Sequence, residues 1–253
     1  MILLEVKNIS KQFGGLKAVD NVDLYVREGE IVSLIGPNGA GKTTFFNILT
    51  GLYSPTSGSI HFDGIQIDGQ SPEKVTTLGM ARTFQNIRLF PNMSVLENVM
   101  LGMHSKTKNG ILASILRTKA FQKEEKRSRE KAIELLTAVG LEEKYDEDAK
   151  NLSYGEQRRL EIIRALASEP KLLLLDEPAA GMNPQETCDL NGYISQIRNT
   201  GVTVLLIEHD MKLVMNISDR IYVLDHGAKI AEGTPLEIRT NRNVIEAYLG
   251  KGA

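Results

Sequence analysis

The chain has 253 residues, 42% hydrophobic and 25% charged, which is ordinary for a globular protein and long enough to bury a core without covalent staples. A net charge of −2 lacks the basic excess of phosphate-backbone binders, so nucleic acid is not an expected partner. The single cysteine, Cys188, excludes an internal disulfide and a cysteine-based zinc site, and the expected place for it is a small apolar core position.

The first residues, Met1 to Lys7, lack the basic and apolar regions of a secretory signal. No run approaches the roughly 18 to 20 apolar residues of a membrane-spanning helix, so any membrane role is expected to be peripheral. Leu3 to Ile9 and Val19 to Val26 alternate apolar and polar residues, which predicts two half-buried antiparallel strands followed by a turn at Glu28-Gly29. Ile31 to Ile35 is a short apolar run, the pattern of a strand buried on both faces. A glycine-rich loop follows it, and then a predicted helix over Lys42 to Leu49. Ser59 to Gly64 reads as a strand that ends in a turn.

From about Ser94 to Ile163 helical patterns dominate. The mixed-charge run from Lys123 to Lys131 is expected to be a solvated helix face. Ile111, Leu112, Ile115 and Leu116 have helical spacing and are expected to pack in a core. Buried-strand runs return at Leu172 to Leu175 and Val202 to Ile207, separated by a helical stretch from about Gln185 to Asn199. This is a β-α-β pattern. A strand from Arg220 to Asp225, a polar turn and a small helix complete the chain. The helical middle therefore reads as an insertion in an α/β core.

Gly36-Pro37-Asn38-Gly39-Ala40-Gly41-Lys42-Thr43 fits G-x-x-x-x-G-K-[ST] between a predicted buried strand and a predicted helix, with Thr44 next along that helix. The glycines let successive backbone N–H groups face phosphate oxygens, and the helix N-terminus adds a positive end. Lys42 is placed to bridge the outer phosphates of a nucleotide, and the Thr43 hydroxyl to bind Mg²⁺. The apolar strand that ends in Asp176-Glu177 puts two carboxylates at the C-terminal edge of a sheet, where open α/β sheets bind ligands. Asp176 is the expected Mg²⁺ ligand, and Glu177 is the group expected to orient and polarise an attacking water.

Leu152-Ser153-Tyr154-Gly155-Glu156-Gln157, between those two motifs, resembles the signature of ABC ATPases. That resemblance implies a P-loop NTPase core, with a mostly parallel sheet and an antiparallel β subdomain, and an inserted helical subdomain. The expected organisation is one domain over 1–253, with 1–85 and 164–253 as the nucleotide-binding core and about 86–163 as the helical part. It also implies that Ser153 and Gly155 contact the γ-phosphate of ATP held by an opposite subunit. Gln85 resembles the glutamine that reaches Mg²⁺, His209 the switch histidine at the γ-phosphate, and Phe13 the aromatic that stacks on adenine.

The resemblance narrows at Arg82 to Phe90, Leu96 to Met100, Pro178 to Asn183 and Ile207 to Met211, which look like the ATPase subunits of branched-chain amino acid importers. The stretch around Met103 to Lys131 also suits that subgroup. The implied protein is an ATPase on the cytoplasmic face of the membrane. Its implied partners are a second ATPase subunit, permease subunits and, indirectly, a substrate-binding protein. Ile87, Arg88, Leu89 and Phe90 are the expected coupling surface toward a permease helix. Tyr154 and Glu156 depart from the commoner signature residues, and Asn183 stands where many relatives have Asp.

Other readings meet specific obstacles. A GTP-binding switch should have an Asn-Lys-x-Asp segment, and this chain has none. A soluble ABC-type ATPase acting on nucleic acid or ribosomes usually has two ATPase units or a long coiled coil, neither of which is legible here. An ABC ATPase of a different importer or exporter is not separated by these residues.

Overall fold

A computed structural model describes residues 1–103 and 119–249. Two compact units make up the chain: Met1–Gln85 with Lys171–Ala253, and Asn86–Pro170. Ile111, Leu112, Ile115 and Leu116 lie outside the described residues.

In the first unit, β1 (Ile2–Phe13) and β2 (Leu16–Arg27) form an antiparallel hairpin in which Leu4 faces Val26 and Val6 faces Leu24. The strands β4 (Ser57–Phe62) and β5 (Ile65–Gln66) extend it into a four-stranded sheet of order β2-β1-β4-β5. The alternation read in the sequence puts Leu4, Val6, Leu24 and Val26 inside, with Ile60 and Phe62 beside them.

The second sheet runs β10-β9-β3-β8-β7-β6. Its strands are β3 (Ile31–Ile35), β6 (Met80–Arg82), β7 (Leu172–Asp176), β8 (Thr203–Ile207), β9 (Arg220–Asp225) and β10 (Ala228–Gly233). Every residue of β3, β7 and β8 is buried, as expected of parallel strands covered on both faces. All pairings are parallel except β9 with β10, which turn back at His226-Gly227 with φ of 46° and 82°. Positive φ at both positions is what a two-residue hairpin turn requires. The sequence did not signal β10, because its residues are half-buried and give no clean alternation. Helix α1 (Lys42–Leu49) follows β3, and α2 (Pro72–Leu78) precedes β6.

The second unit contains α3 (Val95–Gly102), α4 (Lys119–Thr137) and α5 (Tyr154–Leu166). Lys123 to Glu130 is a mostly exposed face of α4, whereas Ala132 and Leu136, one turn apart, are buried. Fully buried Asn98 accepts from Phe90 N–H at 3.0 Å and donates to the carbonyls of Phe90, Met93 and Ser94, so it fixes the segment that enters α3. Arg158 and Glu161 form a wholly buried ion pair at 3.0 Å, and Glu161 also accepts from Arg88 N–H at 3.0 Å.

Back in the first unit, α6 (Pro184–Asn199), α7 (Met211–Ile217), α8 (Pro235–Thr240) and α9 (Arg242–Leu249) complete the helices. Cys188 corrects the sequence expectation, since it is exposed. The buried stripe of α6 is Leu190, Tyr193, Ile194 and Ile197, and helical geometry places Cys188 on the opposite side. The helical period outweighs the preference of cysteine for burial. Among the described residues no helix is long and apolar enough to cross a membrane.

Candidate functional site

Strand register gathers the first site. Leu34 of β3 pairs with Ile207 of β8, Asp176 of β7 pairs with Ile207, and Arg82 of β6 pairs with Leu174. The loops that leave these strand ends therefore emerge at one edge of the parallel sheet. That edge is where α/β sheets bind ligands.

The loop from β3 to α1 needs its glycines. A Cβ at Gly36 would run into the Leu224 carbonyl and one at Gly41 into the Ala18 carbonyl, with φ of 152° and 97°. Ala40 N–H closes the loop onto the Pro37 carbonyl at 3.1 Å, and Gly39 takes φ of 82°. Asn38 and Gly39 face solvent and Ala40 is buried. Gly41 caps α1 without a side chain, and the first turn holds no acid. The helices that begin at Pro72, Val95, Tyr154, Pro184, Met211 and Pro235 all have side-chain caps. The N-terminus of α1 thus keeps its positive end and donors for an anion.

Lys42 is buried, and its ammonium donates to the carbonyls of Gly36 at 2.7 Å and Pro37 at 3.0 Å. Burial pushes the Lys42 amine below the ordinary lysine range, opposed by the charges of Glu177 and Asp176. Thr43 is exposed and Thr44 half-buried on the same first turn.

Two of the expected partners converge on Glu177. Gln85 Nε2 donates to Glu177 Oε2 at 3.0 Å, and His209 Nδ1 lies 3.7 Å from the same oxygen. Glu177 itself sits in the left-handed region with φ of 48°, its N–H bonded to the Ile207 carbonyl at 2.9 Å. That conformation is unusual for a residue with a side chain. It turns the carboxylate out of line with β7. Asp176 is buried and takes a hydrogen bond from Arg82 at 2.7 Å.

Phe13 is exposed and meets Tyr53 edge-on with ring centroids 5.3 Å apart, and Lys11 Nζ is 5.0 Å from its centroid. An accessible aromatic surface remains at this position.

Sequence reasoning missed two residues of this site. In the sequence Arg82 stands out only as the start of the Arg82 to Phe90 segment, yet it holds Asp176. Glu208, beside His209, is fully buried and accepts backbone N–H bonds from Ala179, His209 and Asp210. Burial pushes the Glu208 carboxyl above the usual carboxylate range, opposed by those three donors and by His209. A charged residue at the end of an apolar strand was the available signal for Glu208. No local pattern gives its partners.

In the second unit, Ser153 caps α5. It accepts from Glu156 N–H at 3.4 Å while Glu156 Oε2 accepts from Ser153 N–H at 2.9 Å. Glu156 also pairs with Lys144 at 2.8 Å. Ser153 and Glu156 thus form a capping box at the start of α5. Gly155 is buried in the first turn of α5, and Tyr154 Oη accepts from Arg158 at 3.2 Å. Asn183, in the first unit, caps α6 by accepting from Gln185 and Glu186 N–H groups at 2.9 and 3.0 Å. Asparagine is as good a cap there as aspartate.

The family profile described as ABC transporter matches residues 19–180, and one described as branched-chain amino acid ATP-binding cassette transporter matches residues 228–253. The chain is 51% identical over 250 residues to the high-affinity branched-chain amino acid transport ATP-binding protein LivG of Salmonella typhimurium, covering 98% of each. It is equally similar, at 51% with 98% of each covered, to BraF of Pseudomonas aeruginosa, which has the same description.

Among solved structures, an ATP-binding cassette of an ABC transporter in its ADP conformation superposes with a TM-score of 0.86 at 35% identity, covering 99% of this chain and 100% of that one. A dimeric cassette in a post-hydrolysis state bound to ADP and Pi gives a TM-score of 0.78 at 28% identity, covering 92% of this chain and 98% of that one. The loop from β3 to α1, the carboxylates at the end of β7 and the capped start of α5 thus belong to a fold shared with proteins of this kind. The chain belongs to the ABC transporter family, as one of its ATP-binding, ATP-hydrolysing subunits.

Proposed function

We propose that this chain is the ATPase subunit of a branched-chain amino acid importer, working as a single ABC ATPase domain over 1–253. Its proposed core is 1–85 with 164–253, and its proposed helical part is about 86–163. The convergence of Gln85 and His209 on Glu177, at the sheet edge that carries Lys42, supports the chemistry. The relatives that cover 98% of the chain and the C-terminal family match support the solute class.

Lys42, the loop from Gly36 to Gly41 and the uncapped start of α1 hold the phosphates of ATP, and Phe13 offers its exposed ring to the adenine. The Thr43 hydroxyl, the Asp176 carboxylate and the Gln85 amide oxygen are oxygen donors of the kind Mg²⁺ takes, the Gln85 NH₂ being directed at Glu177. Bound Mg²⁺ would neutralise phosphate charge.

Glu177 accepts a proton from the attacking water, and general-base assistance of this kind contributes about 10²- to 10⁴-fold. His209, near Glu177 Oε2, contacts the γ-phosphate. Ser153 and Gly155 meet the ATP of a second ATPase subunit, so ATP completes the interface between the two. Ile87, Arg88, Leu89 and Phe90 form the coupling surface to the permease, with a substrate-binding protein acting beyond it. The working place is peripheral, on the cytoplasmic face of the membrane.

Sedimentation with MgATP, alongside phosphate release, tests this. Glu177→Gln is expected to bind ATP, to associate and to release almost no phosphate. A Glu177→Gln protein that hydrolyses ATP at the wild-type rate would overturn the assignment.

A further inference from the structure

We propose that Glu208 is a positioning residue for ATP hydrolysis: its buried carboxylate ties the turn that follows Glu177 to the loop that carries His209. The inference rests on the roles given to Glu177 and His209 above.

One carboxylate oxygen, Oε1, accepts from Ala179 N–H at 2.8 Å. The other, Oε2, accepts from His209 N–H at 3.0 Å and Asp210 N–H at 3.3 Å. The two sides belong to different segments of the chain. Ala179 lies in a turn closed by Ala180 N–H on the Glu177 carbonyl and Met182 N–H on the Ala179 carbonyl, and that turn ends at Asn183, the cap of α6. Asp210 caps α7, and His209 precedes it. Glu208 therefore joins two turns that each hold a site residue.

A wholly buried carboxylate is costly for stability unless each oxygen is satisfied, and an apolar side chain would serve the core as well or better. What only a carboxylate does here is accept on both sides at once. His209 Nδ1 lies 3.9 Å from Glu208 Oε2 and 3.7 Å from Glu177 Oε2, so the imidazole stands between the two acids. Movement of His209 on contact with the γ-phosphate is carried through Glu208 to Ala179 and on toward Asn183. Loss of the tie lets Glu177 and His209 drift from register, and misplacement by about 1 Å costs on the order of 100-fold in rate.

Glu208→Gln tests this in the full chain, because it keeps the volume but turns an NH₂ toward backbone donors on one side. Expected results are ATP affinity within about twofold of wild type and a kcat lower by about 10- to 100-fold. Combined with His209→Ala, the substitution should add less than about twofold, as expected for residues acting as one unit. Should Glu208→Gln fail to fold, Glu208→Asp retains the charge while its shorter stem cannot span both turns, and the same loss of kcat at unchanged affinity is expected. An unchanged kcat, a parallel fall in affinity and kcat, or loss of folding in both variants would each overturn the proposal. Glu177→Gln run beside them separates the failures. If it is silent while Glu208→Gln is fully active, only this inference falls; if it is active, the reading of the site itself falls.

Discussion

The Arg82 guanidinium donates to Asp176 Oδ2 at 2.7 Å, with side chains only 8% and 4% exposed. Its other arm donates to Asn47 Oδ1 at 2.7 Å and Thr50 Oγ1 at 3.3 Å, and the rings of Phe46 and Phe84 lie 5.6 and 5.2 Å away. One arginine thus fixes the carboxylate at the end of β7 against the C-terminal end of α1, the helix whose other end is the proposed phosphate site.

Removing Arg82 leaves that carboxylate buried without its partner. Arg82→Ala is expected to lose about 3–5 kcal/mol of stability, the range for breaking a buried pair from one side. Chemical denaturation checks this through the midpoint at unchanged slope. Arg82→Lys should recover part of the loss only, because an ammonium cannot hold Asp176 and Asn47 with a planar fork.

Lys42 separates binding from stability. Burial holds its amine below the ordinary lysine range, so its charged form is less comfortable in the folded protein than in the unfolded chain. That contribution opposes folding below the folded pKa and disappears as pH rises through the ordinary lysine range. In Lys42→Met the relief of that buried charge opposes the loss of donors to the Gly36 and Pro37 carbonyls, so the melting point is expected to stay close to wild type at neutral pH while ATP binds at least about tenfold more weakly, the loss of one charge-assisted contact. Thermal melting with nucleotide titration measures both, and a melting point well below wild type would contradict it.

How much of this could be read in advance follows from the range of each interaction. The runs Ile31–Ile35, Leu172–Leu175 and Val202–Ile207 gave their strands because burial on both faces writes itself as consecutive apolar residues. The phosphate loop was legible because its chemistry is local: glycines, a lysine and a threonine in one segment. Gln85, Glu177 and His209 come from three segments, and only family order groups them in the sequence, whereas the fold brings Gln85 and His209 onto Glu177. Arg82 and Asp176 are 94 positions apart, and two of Glu208's three donors lie in its own loop with the third across the fold. Periodicity has no channel for such pairings. Cys188 shows the reverse case, a residue-type preference overruled by the helical stripe of its neighbours.

Ser153 carries a cap as well as its proposed contact with ATP. Ser153→Ala should cost about 1 kcal/mol, the usual loss on removing a hydroxyl cap. Ser153→Asn keeps a capping oxygen and should recover that stability. Phosphate release should stay low in both if the hydroxyl itself meets the γ-phosphate, and its recovery in Ser153→Asn would contradict that role.

Glu156 makes the same helix start sensitive to acid. Burial alone would raise its carboxyl, but hydrogen bonds from Lys144 and from Ser153, with the Lys144 charge, more than offset this and hold it below the usual carboxylate range. A carboxyl whose folded pKa is depressed binds fewer protons in the folded state than in the unfolded chain. Its stabilisation is therefore fully present above the ordinary glutamate value, about 4.3, and drains away as pH falls through the lower folded value. Across that window the wild type should lose stability more steeply than Glu156→Gln, which has no proton to take up at this position and retains one acceptor for the Ser153 N–H. Urea midpoints from pH 6 downward read the difference. The two curves should converge at the acid end, and parallel curves throughout would show that Glu156 does not carry the acid sensitivity of this helix.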